Sequence, residues 1–158
     1  MKGCLQIEIL THPAVKIIFL IREPEMALSS MIKNKVTKSA EEAVSHYFTQ
    51  LGRINFIFAE IPHDRWSYLT YSELLNNTST VFNQIENLLN LSTPLTEHYS
   101  ATKYTGVRGI GDSSSHIENG KIKRNILREI ESSIRPFIEP ANRLYIECKQ
   151  NLQEHNTY

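Results

Sequence analysis

Lys16-Ile17-Ile18-Phe19-Leu20-Ile21-Arg22-Glu23-Pro24-Glu25-Met26-Ala27-Leu28-Ser29-Ser30 is the stretch from which the architecture of this chain is most readily inferred. Its apolar, β-branched first half predicts a buried strand that ends at Arg22. Pro24 stands where a helix can begin, because its ring fixes φ near the helical value and its missing N–H is no loss at that position. We therefore predict a strand, a tight turn carrying Arg22, and a helix with Ser30 in its first two turns.

Arg22 and Ser30 form a candidate phosphate clamp. In open α/β sheets, ligands bind beyond the carboxyl ends of the strands, where helix N-termini present their N–H groups. A guanidinium can grip a phosphate through two parallel hydrogen bonds, and a nearby hydroxyl can add a third. The alternative is that Arg22 is a surface residue paired with Glu23 or Glu25, and that Ser30 only packs.

The same segment resembles the 3′-phosphate-binding segment of the sulfotransferase family, whose sulfuryl donor is 3′-phosphoadenylyl sulfate (PAPS). The likeness lies in the run Lys16–Leu20, in Arg22-x-Pro24, and in a serine eight residues after the arginine. In that family the Arg and the Ser hold the 3′-phosphate of the donor, so the resemblance gives those roles to Arg22 and Ser30. It implies PAPS as donor and adenosine 3′,5′-bisphosphate (PAP) as product.

A second run, Trp66-Ser67-Tyr68-Leu69-Thr70-Tyr71, is aromatic and β-branched and predicts another buried strand. The residues Tyr71-Ser72-Glu73-Leu74 partly match the Tyr-Glu-Asp-Leu-like motif that ends a strand in sulfotransferases. The family's tyrosine lies near the adenine of the donor, so the resemblance makes Tyr71 a candidate adenine contact. A core aromatic residue at a strand end is an equal alternative.

Residues 92–119 lack periodicity and predict a long loop, which in a compact domain is usually either functional or disordered. The stretch from Gly111 to Ile122 resembles the late loop of bacterial sulfotransferases, with a Gly-Asp followed by a Gly-Lys-Ile turn. This resemblance makes Gly120 and Lys121, and less directly Arg124, candidates for a further contact to the 3′-phosphate. The alternative is a solvated basic run.

Helical periodicity accounts for most of the remaining chain. Ser39 followed by Glu42 has the form of a capping box and predicts a long helix that continues to Pro62. A polar break at residues 76–79 precedes a helix predicted over 80–91. Near the end of the chain, Pro136 and Pro140 are predicted to divide an apolar stripe into two helical pieces.

Composition excludes several classes of function. The chain has 158 residues, with Lys plus Arg and Asp plus Glu equal at 17 each, so no global field favours nucleic acid or an anionic membrane. The two cysteines, Cys4 and Cys148, show no metal-ligand spacing, and we predict no metal site. No stretch approaches the roughly 20 apolar residues of a membrane span. With no signal peptide evident, we expect a cytoplasmic protein without nucleic-acid or membrane partners.

The resemblance has one large gap. Sulfotransferases hold the sulfate-bearing side of the donor with an N-terminal strand, loop and helix that contain a catalytic lysine, and no Lys-Ser/Thr-Gly-Thr stretch occurs here. We therefore expect one partial domain over residues 1–158. The predicted fold is α/β, a three-layer sulfotransferase fold related to P-loop NTPases, with a short parallel sheet and without the phosphate-loop unit.

The resulting hypothesis is a truncated or split sulfotransferase that transfers a sulfuryl group from PAPS to a hydroxyl or amine acceptor and is weak or inactive alone. No general base is assigned, because His12 lies closer to the Arg-x-Pro segment than the family's base does. The acceptor, a small molecule or carbohydrate, stays open.

The alternative is a non-catalytic nucleotide-binding or assembly remnant that associates with itself or with a complementing N-terminal half. A kinase-like phosphate-loop fold fits the strand-turn-helix equally well but leaves Tyr71-Ser72-Glu73-Leu74 unexplained.

Overall fold

Two strands and five α-helices make up the part of the chain that the computed structural model describes, which is residues 10, 12–100, 120, 122, 124 and 130–155. The strands are β1 (Ile17–Ile21) and β2 (Trp66–Thr70). The helices are α1 (Pro24–Lys33), α2 (Ala40–Ala59), α3 (Tyr71–Asn76), α4 (Thr78–Leu89) and α5 (Arg135–His155). Short 3₁₀ turns at His63–Arg65 and Ser132–Ile134 precede β2 and α5.

The two strands pair in parallel, with Ile17 opposite Trp66 and Ile21 opposite Thr70. Because side chains alternate along a strand, one face of the sheet carries the odd-numbered residues of β1 and the even-numbered residues of β2. That face joins the main core, which also contains residues of α1, α2 and α5. Helix α4 contacts β2, and its Gln84 amide donates a hydrogen bond to the Ser67 hydroxyl on the opposite face. Helices therefore pack on both faces of the sheet.

Trp66 is the largest side chain of the main core and is almost completely buried. Phe19 meets it edge-on, with ring centroids 5.6 Å apart, and Phe58 of α2 packs beside it at 5.7 Å. Aromatic pairs at these separations add about 0.5–1.5 kcal/mol beyond the area they bury. Leu28 of α1 and Leu152 of α5, both fully buried, close the core from the helical side.

The structure confirms the predicted strand-turn-helix around Arg22 and the helix that begins after Ser39. The Ser39 hydroxyl accepts a hydrogen bond from the Glu42 N–H at 3.2 Å, as a capping box requires. The reciprocal bond is displaced by one residue, because the Glu42 carboxylate accepts from the N–H of Lys38. Glu42 thus still satisfies one backbone donor before the helix.

Three element boundaries differ from the predictions. Tyr71 begins α3 instead of ending β2, because Thr70 and Glu73 form a reciprocal capping box that starts a helix there. The break before α4 is shorter than predicted, since α4 already begins at Thr78. Pro140 does not divide the last helix, which runs unbroken from Arg135 to His155. Pro140 lies in the second turn of that helix, where it removes one hydrogen bond toward the first turn, and the helix continues through it.

The fold class is a mixed α/β arrangement, mostly helical, with a short parallel sheet, which confirms the coarser part of the prediction. Among the described helices, none combines the length and apolar character needed to cross a bilayer. The part of the predicted late loop over residues 101–119 lies outside the described residues.

Candidate functional site

Arg22 and Tyr71 meet at the carboxyl end of the sheet. The parallel register places Ile21 beside Thr70, so the next residue of each chain segment leaves the sheet at the same edge. The Arg22 guanidinium carbon lies 4.2 Å from the centroid of the Tyr71 ring. A cation–π contact of this kind uses the face of the guanidinium, whereas hydrogen bonds to an oxyanion use its edge, so the two are compatible.

Ser30 shares a groove with Arg22. The groove has a volume of about 250 Å³ and runs between the end of β1, the helix α1 and the helix α2. The Ser30 hydroxyl accepts a hydrogen bond from the Asn34 side-chain amide at 3.1 Å. A hydroxyl that accepts one bond can still donate its own proton, so Ser30 keeps the capacity to bind an anion. The two residues of the predicted clamp therefore line one concavity.

The walls of this groove are mostly apolar. Leu20, Met31, Val36 and Ile54 supply much of the lining, and Arg22 is the only cationic residue among the described residues that line it. Water is a weaker competitor for hydrogen bonds beside apolar walls, so a single guanidinium interacts more strongly with an anion there than on an open surface. The chemistry of the groove suits a small ligand with one anionic group beside an apolar or flat body.

Two tyrosine hydroxyls hold the turn that follows β1. Tyr47 of α2 donates a hydrogen bond to the Arg22 carbonyl oxygen at 2.7 Å, and Tyr145 of α5 lies 3.5 Å from a Glu23 carboxylate oxygen. Burial raises the pKa of Tyr47 well above its ordinary value, with Tyr145, Cys148 and Glu23 acting in the same direction. Tyr47 consequently remains a protonated donor at any physiological pH.

The start of α3 is held as firmly as the turn after β1. The Thr70 hydroxyl accepts from the Glu73 N–H at 3.1 Å, and the Glu73 carboxylate accepts from the Thr70 N–H at 2.9 Å. Burial acts to raise the pKa of Glu73, but the hydrogen bonds from Thr70 and the nearby Lys149 ammonium outweigh it and keep the pKa below its ordinary value. Glu73 is therefore ionised at neutral pH and fixes Tyr71 at the first helical position.

The late candidates are placed differently. Gly120 lies beside Tyr99, whose N–H donates to the Gly120 carbonyl at 2.9 Å, and Gly120 is absent from the described lining of the Arg22 groove. Its φ of +67° favours glycine, and an added Cβ would lie 2.8 Å from the Tyr99 carbonyl oxygen. Lys121 lies outside the described residues. Arg124 donates to the Leu75 carbonyl and the Thr78 hydroxyl and is ion-paired with Glu97, which ties it to the α3–α4 junction.

The bond between the Tyr47 hydroxyl and the Arg22 carbonyl is not predictable from the sequence. The position of Tyr47 on the apolar stripe of α2 correctly indicates burial, since its side chain is only 4% exposed. No local pattern reveals which backbone carbonyl a buried phenol will meet 25 positions away. The same limit applies to Tyr145.

The candidate site is thus a mostly apolar groove that contains Arg22 and Ser30, at the carboxyl end of a short parallel sheet. Among the described residues, no three His, Cys, Asp or Glu side chains lie close enough together to hold a metal ion. No family model, no curated protein and no solved structure matches this chain. The features that bear on function are therefore the geometry of Arg22, Ser30 and Tyr71 and the resemblance of the segments that carry them.

Proposed function

We propose that this chain binds the 3′-phosphoadenosine part of PAPS or PAP, as a sulfotransferase-type domain. The observation that carries the proposal is the convergence of Arg22, Ser30 and Tyr71. The resemblance named these residues from two segments of sequence nearly 50 positions apart; Arg22 and Ser30 line one groove, and Tyr71 lies against Arg22. The packing of helices on both faces of a parallel sheet also fits the three-layer fold that the family has.

In the proposed complex, the Arg22 guanidinium donates two parallel hydrogen bonds to the 3′-phosphate, and the Ser30 hydroxyl donates a third. The Tyr71 ring supports the guanidinium from its face and borders the adenine. The family's reaction moves the sulfuryl group from the 5′ side of PAPS to a hydroxyl or amine acceptor, and PAP leaves. The residues of this groove act on the opposite side of the nucleotide, so they anchor the donor and do not touch the transferring group.

Sulfuryl transfer requires in-line alignment and neutralisation of the charge on the leaving phosphate, in the same way as phosphoryl transfer. A single group that stabilises such charge is worth roughly 3 kcal/mol of barrier. The described residues that line the groove include no lysine that could serve the 5′ side. We therefore expect this polypeptide alone to bind the nucleotide and to be a very poor catalyst.

The test is calorimetric titration of the purified chain with PAP. Charge-assisted hydrogen bonds contribute about 1.5–3 kcal/mol each, so Arg22→Ala, which loses the two that Arg22 donates, should weaken binding by at least about 100-fold. Arg143→Ala is the matched control, because Arg143 is an exposed residue of α5 with only a long ion pair to Glu139. The proposal is wrong if wild type and Arg22→Ala give the same heats, or if Arg143→Ala weakens binding as much.

A second candidate is a non-catalytic assembly module, and the outer side of β1 favours it. Among the described residues, β2 is the only strand paired with β1, so one edge of β1 has no neighbouring strand. Leu20, on the face opposite the core, is 52% exposed. Exposed edge strands with apolar side chains promote association with another chain. Sedimentation at increasing concentration should show self-association that Leu20→Lys abolishes and Phe56→Lys, at an exposed position of α2, does not. A wild-type monomer at every concentration would exclude this candidate.

A further inference from the structure

Tyr47 has a hydroxyl at the base of the turn that carries Arg22. Its side chain is almost completely buried in the main core, yet its hydroxyl donates to the Arg22 carbonyl oxygen at 2.7 Å. A phenylalanine would fill the same space in the core without this bond. The hydroxyl is therefore the part of Tyr47 that packing does not explain.

The bond constrains the peptide unit between Arg22 and Glu23. Arg22 follows the last residue of β1, and Glu23, the N-cap of α1, has φ −56° and ψ 138° and makes no side-chain capping bond. A turn without a side-chain cap has fewer local restraints than one with a capping box. Tyr47 supplies a restraint from a different helix, at a residue that lines the groove.

Tyr47 also lines the same groove as Arg22 and Ser30. A change in the Arg22 peptide would move the origin of a long side chain, and a small rotation there displaces the guanidinium by a larger distance. Binding through two parallel hydrogen bonds is sensitive to such displacement, because both bonds need the fork of the guanidinium in one plane with the anion. The hydroxyl of Tyr47 is thus placed to control the geometry of the clamp.

We propose that Tyr47 is a positioning residue, whose hydroxyl directs the Arg22 guanidinium against Tyr71 and toward Ser30. In consequence, it sets the preference of the site for a ligand that carries a 3′-phosphate. The preference for a 3′-phosphate rests on the proposed function. The role of Tyr47 in orienting Arg22 is independent of it and is measured separately.

That measurement is the NMR chemical shift of the Arg22 δ-methylene protons, which the neighbouring Tyr71 ring moves upfield. Tyr71→Leu gives the value without the ring. We expect Tyr47→Phe to lose at least half of the upfield shift, because the side chain no longer stays over the ring. Tyr68→Phe is the matched control, since it also removes a hydroxyl from a partly buried tyrosine, on β2. If Tyr47→Phe alone does not fold, the spectra are recorded with a stabilising osmolyte.

The second measurement is the ratio of affinities for PAP and adenosine 5′-monophosphate, which lacks the 3′-phosphate. We expect Tyr47→Phe to reduce this ratio several-fold and Tyr68→Phe to leave it unchanged. A purely structural role would weaken both ligands equally and keep the ratio.

The two measurements separate the two proposals. If wild type binds neither nucleotide, the proposed function is wrong, and the Arg22 shift alone decides the role of Tyr47. If wild type prefers PAP while Tyr47→Phe retains both the ratio and the upfield shift, Tyr47 is not a positioning residue and the proposed function stands.

Discussion

Two arginines, Arg22 and Arg65, stand at opposite ends of the parallel sheet and have different surroundings. Arg65 precedes β2, is only 7% exposed, and donates to the backbone carbonyls of Leu10, His12 and Val15. Arg22 follows β1, lies against the Tyr71 ring, and lines an open groove with a serine hydroxyl. The comparison shows that two arginines next to strand ends can differ in their surroundings: Arg65 binds backbone carbonyls of the chain, whereas Arg22 packs on a ring beside a groove.

The largest effect should separate the two arginines by stability. Arg65→Met removes several charge-assisted hydrogen bonds and leaves buried carbonyls without their donor, so we expect a loss of at least about 3 kcal/mol of unfolding free energy. Arg22→Met should cost less, about 2 kcal/mol or below, because it removes the contact with the Tyr71 ring and takes the partly buried Nε and Nη2 edge with it. Urea unfolding of both variants measures the difference. Equal losses would remove the distinction between a structural and a ligand-facing arginine.

A smaller effect should come from the ring beneath Arg22. Cation–π contacts are worth about 0.5–2 kcal/mol, so Tyr71→Leu should weaken PAP binding by about 3-fold to 30-fold. Tyr71→Phe retains the ring and serves as the control, and its PAP affinity should stay close to that of wild type. Calorimetry on both variants distinguishes support by the ring from support by the hydroxyl. A strong loss in Tyr71→Phe would mean that the hydroxyl itself contacts the nucleotide.

The smallest effect concerns the capping box that fixes Tyr71. The pKa of Glu73 is lowered in the folded state, so its stabilisation is present above the unfolded pKa of about 4.3 and is lost as the pH falls through the lower folded value. Glu73→Gln should therefore cost about 1 kcal/mol or less at pH 7, and the difference from wild type should shrink in acid. Urea unfolding at pH 7 and near pH 3 tests this. A difference that grows on acidification would contradict the assigned sign.

Local patterns predicted the elements better than their contacts. The apolar run before Arg22 and the proline after it sufficed for the strand-turn-helix, because both signals act within a few residues. The aromatic, β-branched run Trp66–Tyr71 predicts a strand through Tyr71, but the capping box of Thr70 and Glu73 starts a helix there. Pro140 predicts a break, but the helix from Arg135 to His155 continues through it.

The candidate site shows the same contrast between local motifs, which the sequence reveals, and distant contacts, which it does not. Short motifs indicate Arg22, Ser30 and Tyr71, and the contact of Arg22 with Tyr71 follows from the parallel pairing of the strands that precede them. Arg65 received no role, because its carbonyl partners lie about 50 positions away in sequence and nothing local indicates them. Tyr47 was missed for the same reason. Periodicity reveals that a side chain is buried, but not which polar group its hydroxyl reaches.

The central claim is that Arg22 and Ser30 hold the 3′-phosphate of an adenine nucleotide. Phosphorus NMR tests it most directly, because the 3′- and 5′-phosphates of PAP give separate resonances. A phosphate monoester has a second pKa near 6, and a guanidinium that favours the dianion should lower it. We predict that, on binding, the 3′-phosphate shows the larger fall in pKa, and that Arg22→Ala and Ser30→Ala reduce this fall while Arg143→Ala does not. Binding in which only the 5′-phosphate responds, or in which Arg22→Ala leaves the 3′ resonance unchanged, would contradict the claim.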